Sequence, residues 1–313
     1  MRVLVTGGTG FVGRPLVRRL LASGHEPAVF VRSIPRARQA LGPFVRLVEP
    51  SGLGEAVGRA DAVVNLAGEP VLPKRWTPSR KAALAESRVG TTRRLVEAIA
   101  GASQRPRVLV SASAVGYYGD RADERLDESA VPGQGFLAEL CKDWEAAARQ
   151  AGRNGVRVVT PRIGIVLGRE GGALSPMLPL FRLGLGGPMG SGRQYVSWIH
   201  LEDLVSILAA AIEDARYAGP INAVAPAAVP QRQFARALGH GLSRPALVPA
   251  PSLALKLALG EAASALLESQ RVEPKRLLEL GFQFRFPELS GAIADVLGAH
   301  PERPTEGPQA NAP

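Results

Sequence analysis

The segment Gly7-Gly8-Thr9-Gly10-Phe11-Val12-Gly13 constrains this 313-residue chain more than any other. It follows the short β-branched run Val3-Leu4-Val5 and opens a stretch, Phe11 to Ala22, in which Val12, Leu16, Leu20 and Leu21 recur at helical spacing until Gly24 stops it. The order is strand, glycine loop, amphipathic helix, and the loop satisfies both G-x-x-G-x-x-G from Gly7 and G-x-G-x-x-G from Gly8. Without a Cβ the turn can be tight, the backbone can approach a pyrophosphate, and the helix can pack close to the sheet. The helix N-terminus adds free N–H groups and a partial positive charge. A dinucleotide site is the expected use, with Gly7, Thr9, Gly10, Phe11, Val12 and Gly13 as its contacts.

The rest of the first half repeats the alternation. Ala28-Val29-Phe30-Val31, Asp61 to Leu66, Val108-Leu109-Val110 and Val156 to Val159 read as buried parallel strands. Helical stretches separate them, notably Ser79 to Ala100 and Phe136 to Ala151. Strands alternating with helices predict an α/β fold, a Rossmann doubly wound parallel sheet with right-handed crossovers. After Leu167 eight glycines fall between 168 and 192 with little periodicity, a pattern of functional or mobile loops and here a possible lid. Ile199 to Ile212 returns to helix, Pro220 to Val224 reads as a last strand, and Pro249 to Leu267 reads as helix. The expected division is a nucleotide domain over 1–223, including a glycine-rich substrate-side loop at 168–198, then a smaller substrate lobe over 224–297. That lobe is expected over the mouth of the sheet, with Leu253, Leu255, Leu257 and Leu259 on a partner surface. The proline-rich residues 301–313 read as a disordered tail.

Composition narrows the partners. Thirty-eight Lys+Arg against 28 Asp+Glu leave +10, but the basic residues lie in short runs broken by apolar residues and prolines, without interleaved aromatics. An Arg-rich solvated surface is expected, and no nucleic acid. A single cysteine, Cys141, excludes a disulfide framework, and four dispersed histidines offer no metal-ligand spacing. No run approaches the roughly 18 apolar residues of a membrane span. A soluble cytoplasmic protein acting on a small molecule is expected, its oligomeric state open.

At the end of the second strand a dinucleotide lacking the 2′-phosphate is usually held by an acid. Here the residues are Val31-Arg32-Ser33. A guanidinium and a hydroxyl suit the 2′-phosphate of NADP (NADPH), against the alternative of a surface arginine on a loop.

Longer segments add a resemblance. TGGTGFVG (Thr6 to Gly13), NLAGE (Asn65 to Glu69), ESRVGTT (Glu86 to Thr92), SASAVGYYG (Ser111 to Gly119), FLAELCKDWE (Phe136 to Glu145) and PRIGIVLGREGGAL (Pro161 to Leu174) are joined by FRLGLGGPMGSGRQYVSWIHLEDL (Phe181 to Leu204) and SQRVEPKRLLELGFQF (Ser269 to Phe284). Together they resemble an atypical extended short-chain dehydrogenase/reductase, more narrowly the epimerase-like family with a small C-terminal domain of unknown function, over residues 1 to about 297. The resemblance implies Leu66, Ala67, Gly68 and Arg88 as cofactor neighbours and Pro161-Arg162-Ile163 beside the nicotinamide end. It also brings a departure. Such reductases carry a serine and then Tyr-x-x-x-Lys; Ser113 matches the serine, but aligning on Glu145 puts Leu137 at the tyrosine and Cys141 at the lysine.

Three residues remain as candidates for catalysis. Ser113 ends the strand facing the nicotinamide in this fold, against the alternative of a turn serine. Tyr117 and Tyr118 are the nearby phenols, each needing about 4 kcal/mol of anion stabilisation to titrate near 7, against the alternative of an aromatic pair closing a pocket. Cys141 reads as a buried inert thiol, Lys142 as pointing away from the cofactor, His200 as structural, and Arg193 and Gln194 as projecting toward substrate. Two functions fit: an NADP(H)-dependent epimerase-like oxidoreductase, or an NADP(H)-binding redox sensor or scaffold without turnover.

Overall fold

Residues 1–169 and 171–298 are described by the computed structural model. Strand β1 (Arg2–Thr6) is buried from Val3 onward and leads through the glycine loop into α1 (Gly13–Ala22). Leu16, Val17 and Leu20 of α1 are at most 1% exposed, which stabilises the fold by roughly 1.5–3 kcal/mol per side chain. Then follow β2 (Glu26–Phe30), α2 (Ile34–Leu41), the short β3 (Arg46–Val48), α3 (Leu53–Arg59) and β4 (Ala62–Asn65). The expected helix at Ser79–Ala100 is interrupted. It comprises α4 (Pro78–Ala85), a π-helical turn at Glu86–Gly90, and α5 (Thr91–Gly101).

Next come β5 (Val108–Ser111), the two-residue β6 (Ser113–Ala114), β7 (Arg125–Leu126), α6 (Phe136–Arg149) and β8 (Arg157–Ile163). The second half contains β9 (Ile165–Leu167), α7 (Leu178–Arg182), β10 (Tyr195–Val196), β11 (Trp198–His200), α8 (Leu201–Glu213), β12 (Gly219–Ala223) and β13 (Val229–Pro230). It closes with α9 (Gln231–Gly241), α10 (Ser252–Leu259), α11 (Ser264–Leu267), β14 (Arg271–Val272), α12 (Lys275–Glu279) and α13 (Leu289–Leu297).

The main sheet is parallel in the order β12-β8-β5-β4-β1-β2-β3, with β6 continuing β5 alongside β8. Order reverses between β1 and β4, so a crevice forms beyond the carboxyl ends of these strands. One apolar layer, containing α1 and α8, covers one face of the sheet; α3, α5 and α6 cover the other. With both faces covered, β4 and β5 are buried at every residue, the reason their sequences read as uninterrupted apolar runs.

The second lobe shares its apolar core with the chain before position 223. Its core joins Leu167, Leu174, Phe181 and Trp198 to Ala225, Phe234, Leu238, Ala292 and Ile293, drawing on both sides of position 223. β14 pairs with β7, and Val272 packs with Val115, Tyr118, Leu126 and Val224 beyond the ends of β5 and β12. The lobe therefore stands over the sheet mouth. The expectation for α10 fails: Leu253 and Leu257 are each 68% exposed, while Leu259 packs beside Trp76 and Trp144. The expected helix at Pro249–Leu267 breaks at Gly260, φ +62°, into α10, a 3₁₀ turn and α11. The predicted tail at 301–313 lies outside the described residues. No described helix is long and apolar enough to cross a membrane.

Candidate functional site

The loop after β1 shows why its glycines are needed. Gly7 has φ +70°, and a Cβ there would lie 2.6 Å from the Leu66 carbonyl oxygen. At Gly13 a Cβ would sit 2.2 Å from the Gly7 oxygen, so α1 meets the loop at backbone contact. Gly10 differs, with the Gly7 oxygen at 3.1 Å as its only neighbour within 4 Å among the described residues. The first full helical bond runs from Arg14 N–H to the Gly10 carbonyl at 3.0 Å. The amides at 11–13 precede it and, with no acidic side chain in the first turn, form an anion-binding helix end. This is a cradle that fits a pyrophosphate.

Phe11 contributes an unexpected contact. A Cβ at Gly168, Gly171 or Gly172 would fall within 3 Å of its ring, so the start of the glycine-rich loop is the seat of Phe11. Farther along, the Val248 amide donates to the Gly186 carbonyl at 3.1 Å, the Gly190 amide to the Ala250 carbonyl at 2.9 Å, and the Ala250 amide to the Pro188 carbonyl at 2.8 Å. The 186–190 part of the loop is thus bracketed by residues 248–250.

Asn65, unremarked as a site residue in the sequence, ties the crevice floor together. It accepts from the Thr6 hydroxyl at 2.6 Å and donates to Thr92 at 2.8 Å and Ser111 at 3.1 Å. A fully buried asparagine ending an apolar strand was the available signal. Leu66, Ala67 and Gly68 continue from it along the crevice edge. Arg32 is exposed just after β2, and Ser33 caps α2 through its backbone, without a side-chain bond. Glu69 has its carboxyl held below the usual range, chiefly by its hydrogen bond with Arg80, with weaker charge effects from Arg32 and Lys74.

On the other side of the switch point lies a buried polar chain. Ser113 donates to Glu145 at 2.8 Å. Glu145, whose side chain is 0% exposed, accepts from Arg162 Nε at 2.8 Å and Nη2 at 3.0 Å. Arg162 Nη1 donates to the Tyr118 hydroxyl at 2.9 Å, and that hydroxyl donates to Asn222 Oδ1 at 2.6 Å. Pro161 and Ile163 flank Arg162 on β8, paired with Ile221 and Ala223 of β12.

This placement changes two expectations. Tyr118 is buried with its hydroxyl engaged by Arg162 and Asn222, and burial, against the pull of Arg162, pushes its phenol up to about 12, away from neutrality. The Arg162 head is committed to Glu145 and Tyr118 rather than extended into the crevice. Tyr117 differs from its neighbour. It is half-buried, meets Tyr118 edge-on at 5.4 Å, and has the Arg162 guanidinium 3.6 Å from its ring centre.

Cys141 is 4% exposed, and burial pushes its thiol up to about 12. Lys142 points outward and pairs with Glu139 at 2.9 Å. His200 caps α8 through Nδ1, accepting from the Glu202 amide at 3.2 Å, and stacks on Phe286. Arg193 is exposed, but Gln194 folds inward and donates to the Met189 carbonyl at 2.9 Å, contrary to its expected outward course.

A doubly wound sheet with a glycine cradle at its switch point defines the class: a dinucleotide-binding α/β protein of Rossmann type. The NAD dependent epimerase/dehydratase family model matches residues 3–223, and a domain of unknown function, DUF1731, matches 250–296; the chain belongs to this epimerase/dehydratase family. It is similar to epimerase family protein SDR39U1 of Bos taurus, 44% identical over 95% of this chain and 100% of that protein. The chloroplastic SDR39U1 homolog of Arabidopsis thaliana is also 44% identical, over 95% and 87% of the two chains. Among solved structures, human SDR39U1 (isoform2), crystallised with NADPH, aligns with TM-score 0.86 at 40% identity, covering 95% of this chain and 99% of that one.

Proposed function

We propose that this protein binds NADP(H) in the crevice beyond β1 and β4 and carries out epimerase-like oxidoreductase chemistry on a small molecule. The observation that carries the reading is the cradle: close-packed Gly7 and Gly13, a Gly10 open among the described residues, and the N-terminal end of α1. Thr9, Gly10, Phe11, Val12 and Gly13 line the pyrophosphate side, and Leu66, Ala67 and Gly68 the edge opposite. Arg32 and Ser33 take the 2′-phosphate, Arg88 lies on the nicotinamide half, and Pro161, Arg162 and Ile163 form the wall behind it. The human relative crystallised with NADPH supports the choice of dinucleotide.

When bound, the nicotinamide accepts or delivers a hydride. The chain's own residues must then bind and polarise the substrate oxygen without a Tyr-x-x-x-Lys couple. Ser113 is an exchangeable donor, because Glu145 keeps Arg162 when the serine turns toward substrate. Tyr117 is the phenol left for proton transfer, seated on Arg162. Tyr118 supports that seat from below.

Fluorescence titration tests the binding claim. NADPH should bind about 10-fold or more tighter than NADH, and Arg32→Ala should abolish the preference, since charge-assisted bonds contribute about 1.5–3 kcal/mol. Equal affinities overturn the NADP assignment.

A second reading, an NADP(H)-binding sensor or scaffold without turnover, is favoured by the closed Ser113–Glu145–Arg162–Tyr118 chain, in which the serine proton is already bonded. A screen of carbonyl and hydroxyl substrates followed by NADPH absorbance separates the two. General acid–base assistance typically contributes about 10²–10⁴-fold, so Ser113→Ala and Tyr117→Phe should lose turnover on that scale while still binding NADPH.

A further inference from the structure

Seven large apolar residues of the second lobe are about half exposed or more, and they fall in two stretches of chain. Leu180, Leu183 and Leu185 lie on and just after α7; Leu247, Val248, Leu253 and Leu257 lie before and on α10. The two stretches run side by side. Arg244 Nε donates to the Arg182 carbonyl at 3.1 Å, the Val248 amide donates to the Gly186 carbonyl at 3.1 Å, and the Pro245 ring is 3.9 Å from the position of a Gly184 Cβ. Leu253 and Leu257 are one helical turn apart and share a face of α10. That helix is fixed from behind: Arg75 Nε donates to the Ala258 carbonyl at 2.9 Å, and Leu259 packs beside Trp76 and Trp144.

At these exposures the seven residues offer roughly 800 Å², above the few hundred Å² of apolar patch usual on a monomer and equal to one side of a standard interface. Shape and charge identify what covers it. Leu183, Leu247, Leu253 and Leu257 are 72%, 80%, 68% and 68% exposed, so they stand out from the surface, whereas a groove for a partner helix would hold its leucines half covered. Residues 171–201 and 217–260, which supply all seven, contain no aspartate or glutamate in a chain with 28 such acids. They contain Arg182, Arg193, Arg232, Arg236, Arg244 and Lys256, all exposed. Two such faces repel each other, which disfavours a second copy; projecting leucines among cations match the acyl boundary and headgroups of an anionic bilayer. Lying on a bilayer needs no spanning helix.

Independently of the dinucleotide reading, we propose that this face of the second lobe docks on anionic lipid membrane. The leucines enter the acyl boundary, and Arg182, Arg244 and Lys256 meet the lipid phosphates.

Co-sedimentation of the full chain with vesicles tests this, using pure phosphatidylcholine and an equimolar mixture of phosphatidylcholine and phosphatidylglycerol. The mixed vesicles should bind at least about 10-fold more strongly, and high salt should remove the difference. Leu253→Asp/Leu257→Asp should lower binding to mixed vesicles at least about 10-fold, and Arg244→Glu/Lys256→Glu by a similar factor. Phe44→Asp, at a site 91% exposed just before β3, should stay within about twofold of the unmodified chain. Thermal melting checks that each variant is folded, and Arg244→Glu/Lys256→Glu carries the test if the leucine variant unfolds. No binding to mixed vesicles, or the same loss in Phe44→Asp as in the leucine variant, overturns the proposal. So does a concentration-dependent dimer, seen by light scattering, that the leucine variant alone dissolves, because the face then belongs to a second copy.

Discussion

The two halves of the crevice are built on opposite principles. The half beyond β1 and β4 is backbone: glycines packed to contact and a helix end, with the Asn65 side chain tying its floor together. The half beyond β5 and β8 is side chain: serine, carboxylate, guanidinium and phenol in one buried line reaching Asn222 on β12. Backbone sites tolerate no added atom, whereas side-chain sites fail when one partner is removed. Substitutions on the two sides should therefore fail differently.

The largest effect on binding is expected at Gly13→Ala, which drives a methyl into the Gly7 carbonyl and the Gly8 backbone. Overpacking of this kind costs about 1–3 kcal/mol or more, and the displaced loop should lower NADPH affinity at least about 100-fold by titration. Gly24→Ala, at the far end of α1, meets open space and carries only the strain of φ +75°. It should cost about 1–2 kcal/mol in urea unfolding and leave NADPH affinity unchanged. If the two variants behave alike, the cradle is not a contact-packed backbone site.

On the side-chain half, Arg162→Met leaves the Glu145 carboxylate buried without its main partner. Urea unfolding should show a loss of about 3–5 kcal/mol, and the double variant Glu145→Leu/Arg162→Met should recover part of it. A single variant as stable as the unmodified chain would remove the line from the folding account. Tyr118→Phe should cost less, about 1–3 kcal/mol, because it removes the donor to Asn222 and an acceptor from Arg162.

Tyr118 also gives a pH signature. Its folded-state pKa of about 12 lies above the ordinary tyrosine value near 10, so the neutral phenol favours the fold. That contribution is complete below pH 10 and is lost as pH rises from 10 through 12. Unfolding monitored across that window should fall more steeply for the unmodified chain than for Tyr118→Phe. The smallest effect is expected at Lys142→Ala, whose exposed pair with Glu139 should leave melting, NADPH affinity and any turnover unchanged.

The same contrast explains what the sequence made legible. Gly7 to Gly13 announces itself because a backbone site needs one residue type at fixed spacing, and the alternating apolar runs give the sheet for the same local reason. The Ser113–Glu145–Arg162–Tyr118 line joins residues from three separate segments, and nothing local distinguishes Tyr118, which is locked, from Tyr117, which is not. Ser113 and both tyrosines could be named as candidates, but their bonding depends on packing between α6, β8 and β12. The glycines at 168, 171 and 172 carried a signal of another kind, read as a functional or mobile loop, and the aromatic ring of Phe11 that lies against them could not be seen from spacing. The exposed leucines of α10 followed a helical pattern whose partner surface the fold does not provide.

The seat of Phe11 has a consequence for how this chain can evolve. The ring belongs to the phosphate loop, while the space it fills is set more than 150 residues later, by Gly168, Gly171 and Gly172. A smaller residue at 11 would leave a void that side chains at those glycines could refill, and a side chain at any of them would demand a smaller residue at 11. Among related sequences these four positions should change together or not at all, so a pairwise covariance between position 11 and the 168–172 segment is the mark this contact leaves on a lineage.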